Sequence, residues 1–419
     1  MQTAHHTDPH EPVPSADLIG KLPKTDLHVH LDGSLRLDTL IELAREARLE
    51  LPSQTPEGLL ELVFKETYDD LEDYLRTFSY TAPALCTAEA LERAAYELGA
   101  DNLAEGVCYV EVRLAPQLHT GPDLDTADVL AAVDRGLDRV RKEHEATDGV
   151  RNGAQPPFRY GIIACALRMF GPAHSPYYRG LHSALQGFTQ PEIHAAASLS
   201  LARAVVEARD RLGLPVVAFD LAGAEAGNPA SLHRDAYLFA QQNFLMKTVH
   251  AGEAYGPESI YQAITLLGAD RIGHGTHLYA ADRLRRDNPN SAAARDPERY
   301  IHNLAQYISD RRITLEVCIT SNLQSIQHLQ RFADHPFGRM IEDRISVTLC
   351  TDNRLMSRTT VTKEIASACE AFDLSREDLR NVIIYGFKRS FYPGSYIEKR
   401  AYVRQVIDHY DAVIRAETG

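Results

Sequence analysis

The chain has 419 residues, 44% hydrophobic and 24% charged, which excludes a disordered, collagen-like or disulfide-scaffold polypeptide. Lys plus Arg number 44 against 58 Asp plus Glu, a formal net charge of −14, and basic residues cluster only in pairs such as Arg311-Arg312 and Lys399-Arg400. That balance speaks against nucleic acid or an anionic membrane as partner and leaves a small molecule as the expected ligand.

In chain order, residues 1–18 are polar and carry His5, His6 and His10 with no apolar core of a secretory signal. They are expected to form a flexible tail in front of one domain spanning 19–419. Eight short β-rich apolar runs follow: Thr25–Asp32, Val107–Ala115, Tyr160–Arg168, Val216–Ala222, Met246–Ala251, Arg271–His274, Thr314–Thr320 and Ser346–Asp352. Their near-continuous Val, Ile, Leu and Cys content predicts strands buried on both faces of a parallel sheet. Helical spacing predicts helices between them over Ala88–Gly106, Ala127–Val140, Leu199–Ala208 and Ser259–Leu267, with Thr87 and Thr126 as N-caps. Strand–helix alternation repeated eight times predicts a (β/α)8 TIM barrel, with an open doubly wound sheet as the alternative. The stretch from Gly33 to Gly106 is too long for one helix, so several extra helices are expected after the first strand, over the barrel mouth. Ser375–Ala416 is expected to add C-terminal helices outside the barrel. No apolar run reaches ~18 residues, so no membrane-spanning helix is predicted. The six cysteines stand apart without Cys-x-x-Cys spacing, as expected of reduced thiols in the cytoplasm.

Polar residues collect at the C-terminal ends of the apolar runs, where barrel strands converge on one face. The first run reads His28-Val29-His30-Leu31-Asp32, and period-two alternation turns His28, His30 and Asp32 to one side. The fifth ends His250-Ala251-Gly252-Glu253, the sixth Gly273-His274-Gly275 and the eighth Thr351-Asp352-Asn353. His28, His30, His250 and Asp352 offer three nitrogens and one carboxylate, a set suited to a single Zn2+ with an open position, although Fe2+ or Mn2+ would also fit. Glu253, three residues beyond His250, is placed to deliver a proton to a substrate heteroatom. His274 between two glycines is expected to steady developing charge. Glu316 on the seventh run could orient His274 or form a structural ion pair.

These segments resemble the adenosine deaminase family of the amidohydrolase superfamily. The opening Leu22-Pro23-Lys24-Thr25-Asp26-Leu27-His28-Val29-His30-Leu31-Asp32-Gly33 is similar to its signature. Val249 to Glu253, Arg271 to Gly275, Thr351-Asp352, Tyr109 to Arg113 and Asp220 to Gly223 match further segments in order. The resemblance implies a (β/α)8 barrel that hydrolytically deaminates a 6-aminopurine nucleoside, adenosine or 2′-deoxyadenosine, with one Zn2+ per chain. By position it implies that His28, His30, His250 and Asp352 bind the metal and that Glu253 protonates purine N1. It further implies that His274 and Asp352 position and deprotonate the attacking water. His30, Asp32, Gly223 and Asn353 would contact substrate, Asp32 at a ribose hydroxyl and Gly223 at N3. Leu75 and Phe78 would be apolar gate residues. Two departures stand out: Asn353 replaces a second aspartate, and Ile319 replaces a proline. Arg354, new at the mouth, could meet an acidic group on a substituted nucleoside, but an exposed arginine in a salt bridge is the favoured reading. Aminodeoxyfutalosine deaminase and adenine deaminase therefore remain alternatives with the same chemistry, and a catalytically inactive nucleoside-binding barrel remains the non-enzymatic one.

Overall fold

Eight parallel strands pair in sequence order: β1 (Lys24–His30), β2 (Val107–Leu114), β3 (Arg159–Leu167), β4 (Val216–Ala222), β5 (Met246–Ala251), β6 (Arg271–His274), β7 (Thr314–Val317) and β8 (Val347–Leu349). The computed structural model describes residues 14–287 and 289–418. The sheet curls back on itself just past β8, where His30 N donates to Asp352 O at 2.7 Å and Asp352 N to His28 O at 2.8 Å. The architecture is the (β/α)8 barrel. Nearly every strand residue is buried, one face on the barrel interior and the other under the helices, which is why the strands read as unbroken apolar runs.

Two of the four predicted helices extend beyond their expected spans at both ends, while those expected over Ala88–Gly106 and Ser259–Leu267 stop at Ala104 and Thr265. The segment predicted over Ala127–Val140 runs from Thr126 to Glu145. Its N-cap is Asp125 rather than Thr126, because Asp125 and Asp128 bond each other's backbone N–H reciprocally. Thr87 caps the helix Ala88–Ala104 through a 3.1 Å bond from Ala90 N. Between β1 and β2 lie the short helices Leu37–Glu46, Pro56–Leu62, Leu71–Leu75 and Phe78–Thr81 before that long helix. Helices Arg376–Arg389 and Tyr396–Thr418 close the chain outside the barrel. A helix at Ala16–Lys21, capped by Ser15, begins inside the span expected as a tail, 1–18. The rest of that expectation, with His5, His6 and His10, falls on residues 1–13 and lies outside the described residues. β7 also stops short of Thr320, since a helix starts at Ile319 and runs to Ser325. Among the described residues no helix is long and apolar enough to cross a membrane.

The barrel interior is not purely apolar. Fully buried Arg113, Asp220, Glu111, Arg271 and Glu316 form one charged network. Arg113 bonds Asp220 at 2.9 Å and Glu316 at 2.7 Å; Arg271 bonds Glu316 at 2.7 Å and also pairs with Glu111. The Arg271 guanidinium stacks 3.6 Å over the Phe391 ring and donates to Arg389 O at 3.0 Å, so the C-terminal helices seal the barrel floor. Removing one ion of such a set strands its partners in a low-dielectric interior. Arg271→Leu is expected to cost about 3–5 kcal/mol, read as a lowered thermal midpoint. A midpoint equal to that of the unsubstituted protein would contradict this account of the floor.

Candidate active site

At the C-terminal mouth four imidazoles and one carboxylate converge. His28 and His30 project from β1, His250 from β5 and His274 from the end of β6, and all are buried. His28 Nε2 lies 3.0 Å from His250 Nε2, and His30 Nε2 lies 3.1 Å from the same atom. Asp352 Oδ1 stands 3.5 Å from His28 Nε2 and 3.6 Å from His30 Nε2. Gly273 permits this crowding, because a Cβ there would sit 2.8 Å from His28 Cε1.

Carboxylates behind the rings set their tautomers. Glu316 Oε2 lies 2.8 Å from His28 Nδ1, and Asp220 Oδ2 lies 3.1 Å from His250 Nδ1. A carboxylate held ionised accepts, so each Nδ1 carries the proton and each Nε2 turns a lone pair inward. Burial works against the charge of Glu316 and Asp220, but Arg113 with Arg271 for Glu316, and His250 with Arg113 for Asp220, hold both well below the usual carboxylate range. Burial pushes His30 down to about 3 and lowers His250, keeping both neutral. Two bare Nε2 atoms 3.0 Å apart would repel each other, and although burial lowers His28 its bonds to Asp352 and Glu316 raise it overall, so the cluster accepts one positive charge at its centre, a proton or a cation. A tetrahedral cation at about 2.0–2.1 Å from each ligand separates them by about 3.3 Å. The observed separations of 3.0–3.6 Å fit that geometry.

Among the described residues the ligating atoms of His28, His250, His274 and Asp352 all lie within 4.8 Å of one another, a group that takes in His274 and leaves out His30. The tautomer of His274 sets it apart. Asn322 Oδ1 accepts from Thr276 Oγ1 at 2.7 Å, which turns Asn322 Nδ2 to donate to His274 Nδ1 at 3.1 Å. The proton of neutral His274 therefore rests on Nε2, which is buried, free of any other partner and 3.5 Å from Glu253 Oε1. A protonated Nε2 donates and does not ligate. Of the two readings of Glu316 the structural ion pair holds, with Arg113 and Arg271; the imidazole it contacts is His28, and Asn322 takes the role at His274.

Glu253 rides on the turn after β5. Glu225 fixes that turn by accepting from the backbone N–H groups of Gly252 at 2.8 Å, Glu253 at 3.0 Å, Ala254 at 2.7 Å and Tyr255 at 2.8 Å, and from the Ser259 hydroxyl. Burial raises the Glu253 carboxyl well above its ordinary range, and the negative charges of Asp352 and Glu225 add to it. Asp352 shifts the other way. Burial opposes its charge, but the bond to His28 and the neighbouring His274 keep it ionised. Its backbone takes a left-handed φ of 59°, and its Oδ2 accepts from Ser321 Oγ at 2.5 Å.

His30, His250, His274, Glu253 and Asp352 floor a cavity at the barrel mouth. Leu71, Leu75 and Phe78 of the inserted helices form its apolar roof, and Asp32, Gly223 and Asn353 stand in its wall. Asp32 Oδ1 and Asn353 Oδ1 have no hydrogen-bond partner. Asn353 Nδ2 donates to Tyr74 OH at 2.9 Å, and its side chain lies across Gly33, where a Cβ would stand 1.7 Å from Oδ1. Arg354 is absent from the cavity wall; it pairs with Glu105 at 2.5 Å and donates to Asn102 Oδ1 at 3.1 Å, the salt bridge expected of it, although largely buried rather than exposed. Ile319 opens the helix whose Ser321 and Asn322 reach Asp352 and His274. Sequence reasoning gave no role to Arg113, Asp220, Glu225, Ser321, Asn322 or Tyr74. Arg113 and Asp220 carried a usable signal, charges inside apolar strands, which require buried partners.

Residues 23–175 and 180–409 match the family described as Adenosine deaminase. The chain is 36% identical over 406 residues to adenosine deaminase 1 of Streptomyces coelicolor, covering 96% of this chain and 91% of that protein. Among solved structures it is similar to a Zn-bound amidohydrolase from Burkholderia ambifaria, with TM-score 0.72 and 19% identity over 98% of this chain and 96% of that one. It is also similar to adenine deaminase from Arthrobacter aurescens, with TM-score 0.67 and 21% identity over 92% and 98%. At those identities the two structures show a shared fold.

Glu225 yields a pH-dependent expectation. Burial opposes its charge, yet Arg168, Ser259 and the backbone donors lower its pKa below the ordinary carboxylate value. A depressed folded pKa gives stability that is complete above the unfolded value of about 4.3 and is lost as pH falls through the folded one. Glu225→Ala should therefore lower the thermal midpoint most near neutral pH, with the gap from the parent shrinking below about pH 4.3. A gap that widens in acid would refute the assignment.

Proposed function

Since the chain belongs to the adenosine deaminase family, we propose that it is a zinc-dependent enzyme converting adenosine or 2′-deoxyadenosine to inosine or 2′-deoxyinosine and ammonia. It is a hydrolase of C–N bonds in cyclic amidines acting on adenosine-like substrates. The observation that carries the finer reading is the gathering of Glu253, Asp352 and the His30, His250 and His274 imidazoles on one cavity floor, with Glu253 Oε1 3.5 Å from His274 Nε2.

His28, His30, His250 and Asp352 would hold one ion per chain. A bound Zn2+ supplies Lewis-acid charge that brings the pKa of water down towards about 7. Glu253 delivers its proton to the ring nitrogen beside the amino-bearing carbon and makes that carbon electrophilic. Asp352, kept ionised, takes up a proton of the attacking water and hands it to the amino group, which leaves as ammonia when the C–N bond breaks, and the remaining hydroxyl proton restores Glu253 as the 6-oxo group forms. The Nε2–H of His274, aimed by Asn322, donates to the oxygen as charge develops on it. The apolar roof excludes bulk water from these transfers.

The cavity wall supports a neutral nucleoside. No Lys or Arg lines it among the described residues, so a phosphate, or the carboxylate of aminodeoxyfutalosine, would lack a cationic partner. Asp32 Oδ1 lacks a donor, a need that a ribose hydroxyl meets and free adenine does not. Gly223 offers bare backbone to the purine, and the Asn353 amide offers a neutral polar contact at N7. Retention of Glu253 with the whole imidazole set favours an enzyme over an inactive binding barrel. The unpaired cysteines support a cytoplasmic location.

Glu253→Gln is expected to keep bound metal but lose about 10²–10⁴-fold in kcat, followed by ultraviolet absorbance as adenosine is consumed. Elemental analysis should find one zinc per chain in the parent protein and almost none in His250→Ala. Metal-loaded protein should turn over adenosine faster than adenine or adenosine monophosphate. A faster rate on adenine would overturn the substrate assignment.

A further inference from the structure

We propose that His119 is a positioning residue that holds the Asp32 carboxylate ready for a ligand hydroxyl, making the Asp32–His119 pair the hydroxyl-recognising end of the cavity. The inference rests on reading the cavity as a nucleoside site.

His119 ends the short helix Pro116–His119 that follows β2. Its side chain is completely buried and is not part of the cavity wall, whereas Asp32 is. His119 therefore reaches a ligand only through Asp32. His119 Nε2 lies 3.6 Å from Asp32 Oδ2, and neither ring nitrogen has any hydrogen-bond partner. A neutral imidazole always carries one N–H, and a buried N–H needs an acceptor. Asp32 Oδ2 is the carboxylate oxygen within reach, and a small rotation of either side chain closes the gap. Polar contacts of this kind are often long in an empty site and tighten around a ligand.

The pair divides its work by atom. With Oδ2 held by His119, the partnerless Oδ1 of Asp32 is left as an acceptor for an O–H donor. Ala115, Leu118 and Cys165, which line the cavity together with Asp32, form an apolar cluster, and the Cys165 thiol is directed to Asp220. The backbone carrying His119 is fixed. Gln117 donates to Ala197 O at 3.0 Å and accepts from Tyr178 OH at 3.2 Å, and its carbonyl accepts from Ser175 Oγ at 2.7 Å. The ring is thus presented from a tied segment rather than a free loop, which is what holding a carboxylate in one rotamer requires.

The test measures kcat and KM on metal-loaded parent, His119→Phe and His119→Asn with adenosine and its 2′-, 3′- and 5′-deoxy analogues. Inosine binding is followed in parallel by calorimetry. The parent should discriminate against one deoxy analogue. His119→Phe should raise KM for adenosine about tenfold, the size expected for a lost hydrogen bond to a charged group, with kcat within about twofold. Its preference for the hydroxylated substrate should collapse. His119→Asn, which can still donate to Asp32, should recover part of that preference. A His119→Phe enzyme that keeps the parent's discrimination, or one that loses activity equally on every analogue, overturns the positioning role while leaving the deaminase reading standing. A parent that neither turns over adenosine nor binds inosine removes the nucleoside reading and this inference with it.

Discussion

The Glu316 carboxylate is the hinge between fold and chemistry. It accepts from Arg113 at 2.7 Å, Arg271 at 2.7 Å and Thr248 at 3.0 Å, and it meets His28 Nδ1 at 2.8 Å. Those partners come from β2, β6, β5 and β1, while Glu316 itself sits on β7. A carboxylate at zero exposure pays a large desolvation penalty, offset only when every partner is in place. Closing the barrel in the correct register therefore also fixes the tautomer of the innermost imidazole. Asp220 repeats the arrangement on the other side, where the same Arg113 steadies it against His250. The geometry of the imidazole cluster is a product of barrel closure, not a feature added to the strand ends.

Above that layer two acidic groups of the same chemical kind are driven apart. Glu253 faces the cavity with no cation in direct contact, so burial and the charges of Asp352 and Glu225 favour its neutral form. Asp352 lies among imidazoles and a serine hydroxyl, which outweigh the same burial and favour its charge. Divergent environments of this sort allow one small site to hold an acid and a base at a single pH. Glu225 contributes twice: its charge raises Glu253, and its bonds to four successive backbone N–H groups fix where Glu253 stands.

What the sequence reveals follows from the range of the interactions involved. Strand positions and the barrel are legible because apolar periodicity is local, and the convergence of His28, His30, His250 and Asp352 then follows from parallel strand ends. The limits of β7 and β8 are less legible, since Cys318 and Asp352 leave extended geometry through backbone angles that no hydrophobic pattern encodes. Supporting residues are the hardest to read. Asn322 selects the His274 tautomer, yet nothing near Asn322 in sequence indicates a histidine 48 positions earlier. Glu316 is legible as a charge within an apolar run, but its contact with His28 crosses the barrel interior between strands that are not paired, which no local pattern encodes. Arg354 shows the converse case, an unusual residue beside a ligand whose side chain turns away to a structural ion pair.

The roof over the cavity depends on the same segments that build its floor. Tyr74, on an inserted helix, accepts from Asn353 at 2.9 Å and lies 3.2 Å from Ser357, so it is joined to the loop that carries Asp352. Tyr68 N donates to Gln324 O at 2.9 Å, and Gln324 in turn donates to Met356 O at 3.2 Å. The inserted helices, the helix that carries Ser321 and Asn322, and the loop after β8 therefore form one hydrogen-bonded unit. An aspartate at position 353 would bring a second negative charge beside Asp352 in a buried site, at a Coulombic cost that a neutral amide avoids. Asn353 keeps the link to Tyr74 without that cost, and so water exclusion by the roof is coupled to the placement of the metal-side carboxylate.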